Sequence, residues 1–165
     1  MAIDRAMGWV FMRIYTDQAE ASSVDFLNRL ERTAPMKIVT MLTANGSPFT
    51  DRFTSKKRAP TGCHKFDVRC KAMGIEHRLC PPRHLQSSDM MERFNGKINE
   101  VVKQMRFASA VKLEATLGSN LKTYKHLIPR RALNHCSPVQ ALKSWQVQTP
   151  ELFMKRIYKQ TELDK

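Results

Sequence analysis

The chain has 165 residues, of which 42% are hydrophobic, so it is long enough for one domain with a buried core. Its formal net charge is +13, and the excess is spread along the chain. Residues 1–80 carry 13 basic against 8 acidic residues, and residues 81–165 carry 15 against 7. A basic body of this kind favours a polyanionic partner such as DNA.

Composition also disfavours several classes of protein. No run approaches the roughly 18 apolar residues that a membrane helix needs, and no basic-then-apolar leader follows Met1. We therefore expect a soluble, cytoplasmic protein. The four cysteines, Cys63, Cys70, Cys80 and Cys136, are irregularly spaced without a C-x-x-C pair, and in a reducing compartment we expect no disulfides. The spacing of Cys63, His64 and Cys70 fits no common structural zinc site.

The first predicted elements are two short strands at residues 2–5 and 9–15, which form a hairpin. Asp4 lies at the end of the first strand, where it pairs locally or caps the turn. A helix follows at residues 17–32, with Asp17 near its N-cap.

A buried strand is predicted at residues 37–43, ending in a tight turn at residues 44–46. The polar loop 48–62 comes next, followed by a helix at 64–73 and an alternating strand at 75–79. The loop carries a basic triplet, Lys56, Lys57 and Arg58. Both a solvated loop and a phosphate contact are compatible with that triplet.

Residues 87–105 are predicted to form an amphipathic helix. Its apolar residues recur at steps of three and four; they are Met90, Phe94, Ile98, Val101 and Met105. Glu92 lies nearly opposite this stripe, together with Gly96, Asn99 and Lys103. Periodicity alone favours an ordinary solvated glutamate.

The C-terminal part of the chain is predicted to be helical. Helices are expected at residues 110–124 and 138–145, the second with Ser137 as its N-cap. Residues 151–158 form a last short helix or an arm. The order of elements indicates an α/β domain with a helical C-terminal extension.

Three stretches resemble, in order, the motifs of DDE transposases and retroviral-type integrases. Residues 43–50, TANGSPFT, are similar to the T-D-N-G-x-x-F-T end of a family strand. Residues 91–98, MERFNGKI, resemble the family helix that bears the glutamate. Residues 124–133, YKHLIPRRAL, followed by Ser137-Pro138, resemble the tail of insertion-sequence transposases.

The resemblance implies an α/β, RNase-H-like integrase core at residues 1–108, with a helical extension of the same domain at 109–165. It also implies that the first strand of that fold is missing, so that the chain is an N-terminally truncated core. The strands near Ile3 and Val39 would then lose a shared neighbour. Either they pair directly, or another chain fills the gap, or the product is loosely folded.

Members of this family use three carboxylates to hold two Mg²⁺ or Mn²⁺ ions for phosphoryl transfer on DNA. Glu92 matches the third carboxylate, and Ala44 stands where the second aspartate belongs. The first aspartate belongs on the missing strand. The resemblance therefore implies a protein of DNA integration and transposition that is a degenerate, inactive copy, with no productive binding of Mg²⁺ or Mn²⁺.

The expected partner is DNA, with an intact transposase or a second copy of the chain as further partners, and neither a membrane nor a small-molecule substrate. An alternative is a basic DNA-binding module without enzymatic activity. Candidate DNA-contacting residues are Lys56, Lys57, Arg58, Arg93, Asn95, Lys97, Lys103, Arg130 and Arg131. A hydrolase built on His77 and Cys80 is disfavoured, because no oxyanion-hole motif accompanies them.

Overall fold

The computed structural model describes residues 1–52, 63–80, 85–155 and 157, with the backbone alone at 85–89. The basic triplet Lys56, Lys57 and Arg58 lies outside these residues. The chain divides into two compact units: the first comprises residues 1–12 and 85–165, and the second comprises residues 13–84. The domain boundary expected at residues 108 and 109 stays a prediction.

Short strands and longer helices alternate before a helical C-terminal part. The strands are β1 (Ala2–Ile3), β2 (Val10–Phe11), β3 (Thr40–Thr43) and β4 (Glu76–Leu79). The helices are α1 (Glu20–Thr33), α2 (Lys65–Ala72), α3 (Leu85–Gln104), α4 (Ala110–His126) and α5 (Pro138–Gln148). Short 3-10 turns lie at Arg131–Leu133 and Pro150–Leu152. Within the described ranges, no helix is long and apolar enough to cross a membrane.

The N-terminal hairpin is confirmed, although its strands are shorter than expected. β1 and β2 pair antiparallel, with Ala2 opposite Phe11. The turn is stabilised by the Asp4 carboxylate, which accepts a hydrogen bond of 2.7 Å from the Met7 N–H. Gly8 follows with a φ of +65°, a conformation that residues with a side chain rarely adopt. Asp4 therefore caps the turn, and burial raises the pKa of its carboxyl group.

The core of the first unit joins this hairpin to α3 and α4. One cluster of this core contains the buried residues Val10, Phe94 and Tyr124. The rings of Phe94 and Tyr124 meet edge to face with centroids 5.0 Å apart. The predicted apolar stripe of α3 is confirmed at Phe94 and at Ile98, which packs against this core. The prediction is wrong at Met105, which is exposed because the helix ends at Gln104.

In the second unit, β3 and β4 pair in parallel, from Thr40 opposite Glu76 to Thr43 opposite Leu79. Parallel neighbours need a crossover connection, and α2 lies within it. The core beside these strands contains Leu27 of α1 together with Phe66 and other residues of the α2 region. Because the two strands run parallel and in this register, their C-terminal ends lie next to each other.

Two predicted boundaries in the second unit are wrong. Helix α1 begins at Glu20, and its N-cap is Ala19 without a side-chain cap. The Asp17 carboxylate instead accepts hydrogen bonds from the Ala19 N–H (3.0 Å) and the Ser22 hydroxyl (2.5 Å), which fold the segment before the helix. The strand expected at 37–43 is limited to Thr40–Thr43, where it pairs with β4.

The strand pairing also bears on the alternatives for the sheet. Among the described residues, β1 pairs with β2 and β3 pairs with β4, in two separate two-stranded sheets. Direct pairing between the strands near Ile3 and Val39 is therefore not what the structure shows. The last predicted element, 151–158, overlaps the 3-10 turn Pro150–Leu152 in its described part.

Candidate functional site

The glutamate of the third motif lies on the solvent side of α3. Phe94 is 5% exposed and anchors the opposite side of the helix in the core. Two positions away, Glu92 is exposed, because residues separated by two lie about 200° apart on a helix. Within the described residues, no hydrogen bond or ion pair engages the Glu92 carboxylate. The predicted outward position of Glu92 is confirmed.

The other candidates on α3 lie on the exposed surface beside Glu92. Asn95 and Lys103 share the face of Glu92, whereas Arg93 and Lys97 lie toward one flank of it. All four side chains are exposed. The helix therefore brings together one carboxylate, one amide and three cationic groups.

The turn that contains Ala44 lies in the second unit, at the C-terminal end of β3. Ala44 is exposed, and the side-chain amide of Asn45 donates to the Cys80 carbonyl at 3.0 Å. The Asn45 Oδ1 atom is buried, and no partner contacts it within the described ranges. The Gly46 carbonyl accepts from the N–H groups of Phe49 (3.0 Å) and Thr50 (3.2 Å). These bonds define the backbone of the turn without any contribution from the Ala44 side chain.

A chain of three side chains stabilises the strand end just before Ala44. Thr43 Oγ1 lies 2.7 Å from His77 Nε2, and His77 Nδ1 lies 2.5 Å from Asp67 Oδ1. In the neutral ring, Nδ1–H donates to the carboxylate and Nε2 accepts from the hydroxyl. The His77 side chain is 5% exposed and packs edge-on against Phe66 at 5.0 Å. The buried His77 ring thus joins side chains of β3, β4 and α2, and these three residues form a structural brace.

A second histidine fixes the far side of the same turn. His64 caps α2 by accepting from the Phe66 N–H through Nδ1, which leaves Nε2–H to donate to the Ser47 carbonyl at 3.1 Å. The next carbonyl, of Pro48, accepts a hydrogen bond of 2.6 Å from the Ser23 hydroxyl of α1. The turn is thus attached to α1, α2 and β4.

Sequence reasoning missed this framework. Thr43 and His77 are 34 positions apart, and only strand pairing brings them together. Both ring nitrogens of His77 are occupied by Thr43 and Asp67, so His77 does not form the pair with Cys80 that a hydrolase would need. The one sequence signal was the alternation of strand 75–79, which places His77 on an inward-facing position.

Arg130 and Arg131 occupy different environments after α4. The Arg130 guanidinium lies 5.4 Å from the centre of the Tyr124 ring, and its backbone N–H donates to the Cys136 carbonyl at 2.9 Å. Arg131 is exposed and starts the 3-10 turn that follows. Arg130 therefore has a structural contact as well as its charge, whereas the Arg131 side chain is open to solvent.

The described residues do not fit a pair of divalent ions. Ala44 has no donor atom, and no group of three His, Cys, Asp or Glu side chains in the described ranges could hold a metal. Glu92 alone would give such an ion one protein ligand, whereas two-metal centres need several oxygen ligands. Mg²⁺ or Mn²⁺ is used by the family that the sequence resembles, but no step through a metal follows from these side chains.

Comparisons with known proteins bear on the fold. No protein-family model matches the chain, and no curated protein matches it either. Solved structures do match, among them the catalytic core domain of BIV integrase, with a TM-score of 0.62 and 16% sequence identity. That match covers 88% of this chain and 86% of the BIV domain. The chain therefore has a fold similar to that of an integrase catalytic core.

Proposed function

We propose that this chain is an integrase- or transposase-type core that binds DNA and does not itself catalyse strand transfer. The fold similarity supports the first part, since the matched domain is the catalytic core of an integrase. The motif order in the sequence points to the same class. The relation to insertion-sequence transposases, and association with an intact transposase or a second copy, belong to the same proposal.

The observation that carries the proposal is that the Ala44 turn keeps an ordered backbone but lacks a carboxylate. The turn is attached to three neighbouring elements by the hydrogen bonds of Asn45, Ser47 and Pro48, yet it presents a methyl group at the position of the family aspartate. Glu92 remains exposed on α3 without a second carboxylate in the described residues that completes a metal site. We infer that the scaffold was kept while the catalytic ligand set was lost.

DNA binding is supported by charge. The net charge of +13 favours DNA through counterion release, and three of the exposed cationic side chains of α3 are Arg93, Lys97 and Lys103. Asn95 adds a side chain that can donate and accept hydrogen bonds. Nothing in this surface requires a metal ion for binding.

The proposal predicts DNA binding without DNA joining. The purified chain is incubated with labelled duplex DNA and either Mg²⁺ or Mn²⁺, and strand-transfer and cleavage products are separated on a denaturing gel. Product should stay at the level of the Glu92→Gln variant, while fluorescence anisotropy shows binding to the same duplex. Metal chelation should leave that binding unchanged, because no metal joins the protein to the DNA.

Two variants make the test decisive. If the wild type forms product and Glu92→Gln does not, the proposal that the chain is catalytically inactive is wrong. Absence of binding for the wild type at low salt would overturn the DNA-binding part. Ala44→Asp serves as a comparison, because a carboxylate on this anchored turn adds a possible ligand with no change to the turn's own hydrogen bonds.

A further inference from the structure

A second cationic surface lies in the first unit, outside the motifs discussed above. Lys122, Lys125 and His126 occur at spacings of three and four on α4, so they lie on one face of that helix. Lys143 belongs to α5, which packs against α4, and its charge acts on His126. These four residues are called the α4–α5 patch.

The patch has no neutralising partner in the part of the chain that the structure describes. Among the residues that the structure describes, no ion pair involves any of its four side chains. Residues 110–148 contain six lysines and arginines against one acidic residue, Glu114. The Lys125 ammonium lies 4.9 Å from the centre of the Trp9 ring, a cation–π contact that compensates only part of its desolvation. Like charges are thus held close together by the packing of two helices.

The pKa values in the patch reflect burial first and, for His126, the neighbouring positive charges as well. Burial lowers the pKa of His126, and the ammonium groups of Lys125, Lys122 and Lys143 lower it further. Burial also lowers the pKa of Lys125, to about 8. Both shifts show that the free protein disfavours positive charge here, and an anion would relieve that cost.

We propose that the α4–α5 patch binds the phosphate backbone of duplex DNA, as a contact surface additional to α3. This inference rests on the DNA binding proposed above. A lysine ammonium is a point charge that donates hydrogen bonds and accepts none, which suits phosphate oxygens and carries no base readout. The patch should therefore increase affinity for every DNA sequence equally.

The neighbouring charges also fix the direction of a pH effect. The groups that act on His126 are the ammonium groups of Lys122 and Lys125 on its own helix and of Lys143 on α5. A bound phosphate would raise the pKa of His126 relative to the free protein, so binding takes up a proton. Affinity should then increase as the pH falls through the titration of His126.

The test compares two double variants that remove the same charge. Lys122→Gln/Lys143→Gln removes two ammonium groups from the patch, and Lys37→Gln/Lys71→Gln removes two exposed ones from the other unit. Binding of a mixed-sequence duplex is followed by fluorescence anisotropy between 50 and 300 mM KCl. Each phosphate contact is expected to contribute about 0.9 to the slope of log K against log salt. Circular dichroism melts verify that every variant is folded.

We expect the patch variant to bind roughly ten-fold more weakly at about 0.1 M salt and to lose about 2 from the slope, whereas the control keeps the wild-type slope. Equal slopes for the two double variants, with both still binding, would overturn the patch and leave the proposed function standing. A wild type that does not bind would overturn both. Equally strong, equally patch-dependent binding of poly-glutamate would show a general polyanion surface and overturn the assignment to DNA.

Discussion

At the scale of single residues, the turn at Ala44 owes its geometry to its neighbours. Thr43 is 8% exposed, and its hydroxyl is hydrogen-bonded to one ring nitrogen of His77. The other ring nitrogen of His77 is hydrogen-bonded to Asp67. Buried polar groups cost free energy when they lose a partner, because water cannot replace it. The brace therefore contributes stability only while it is complete.

Thr43→Val tests this brace. Valine keeps the shape of threonine but removes the hydroxyl, which leaves His77 Nε2 buried without a partner. The free energy of unfolding should fall by about 1–3 kcal/mol, measured by urea denaturation. Thr40→Val is the matched control on the same strand, because the Thr40 hydroxyl is exposed and contacts Glu76 at 3.3 Å. Its effect should stay within about 0.5 kcal/mol, and equal losses would contradict a special role for Thr43.

The position of Glu92 could be predicted from the sequence, whereas the bonds around Ala44 could not. The outward position of Glu92 followed from a period of 3.6 residues, which is a local property of a helix. The bonds around Ala44 could not be predicted in the same way, since Asn45 meets Cys80 across 35 positions. The roles of Arg93, Asn95, Lys97, Lys103 and Arg131 in DNA contact stay predictions.

At the scale of elements, local signals were strongest where a helix begins with a capping residue. Ser137 was predicted as the N-cap of α5, and the structure shows a complete capping box with Gln140. The Gln140 side chain accepts from the Ser137 N–H at 2.8 Å. Helix α1 lacks such a cap, and there the predicted start at Asp17 was three residues too early.

Ser137→Ala should therefore destabilise the first unit. The variant removes a buried cap, and the expected loss is about 0.5–2 kcal/mol in free energy of unfolding, read from thermal denaturation by circular dichroism. Ser144→Ala on the same helix is the control, since the Ser144 hydroxyl is exposed and donates to the Gln140 carbonyl. Alanine favours helix there, so no loss is expected. A loss as large for Ser144→Ala would show that α5 does not depend on its cap.

At the scale of the whole molecule, charge dominates the expected behaviour. With a net charge of +13, binding to duplex DNA should weaken steeply as salt increases. A plot of log K against log salt should be linear, with a slope more negative than about −2 if several phosphates are contacted. Glu92→Gln should bind at least as tightly as the wild type, because it removes an exposed negative charge beside Arg93. Affinity should be measured between 50 and 300 mM KCl, because the Debye length is about 10 Å at 0.1 M salt. An affinity that stays constant over this range would contradict electrostatic binding.

Local patterns were enough to predict the presence of the helices, the hairpin and the outward carboxylate of α3, and composition gave the excess of positive charge, because these are local or additive properties. The sequence motifs also predicted an integrase-like fold, which the similarity to the BIV integrase core supports. The pairing of β3 with β4 and the brace next to Ala44 depend instead on contacts between residues far apart in the chain. The same holds for the electrostatic effect of Lys143 on His126, since packing of α5 against α4 brings their charges near each other. Such contacts depend on how helices and strands pack, and no local pattern encodes that packing.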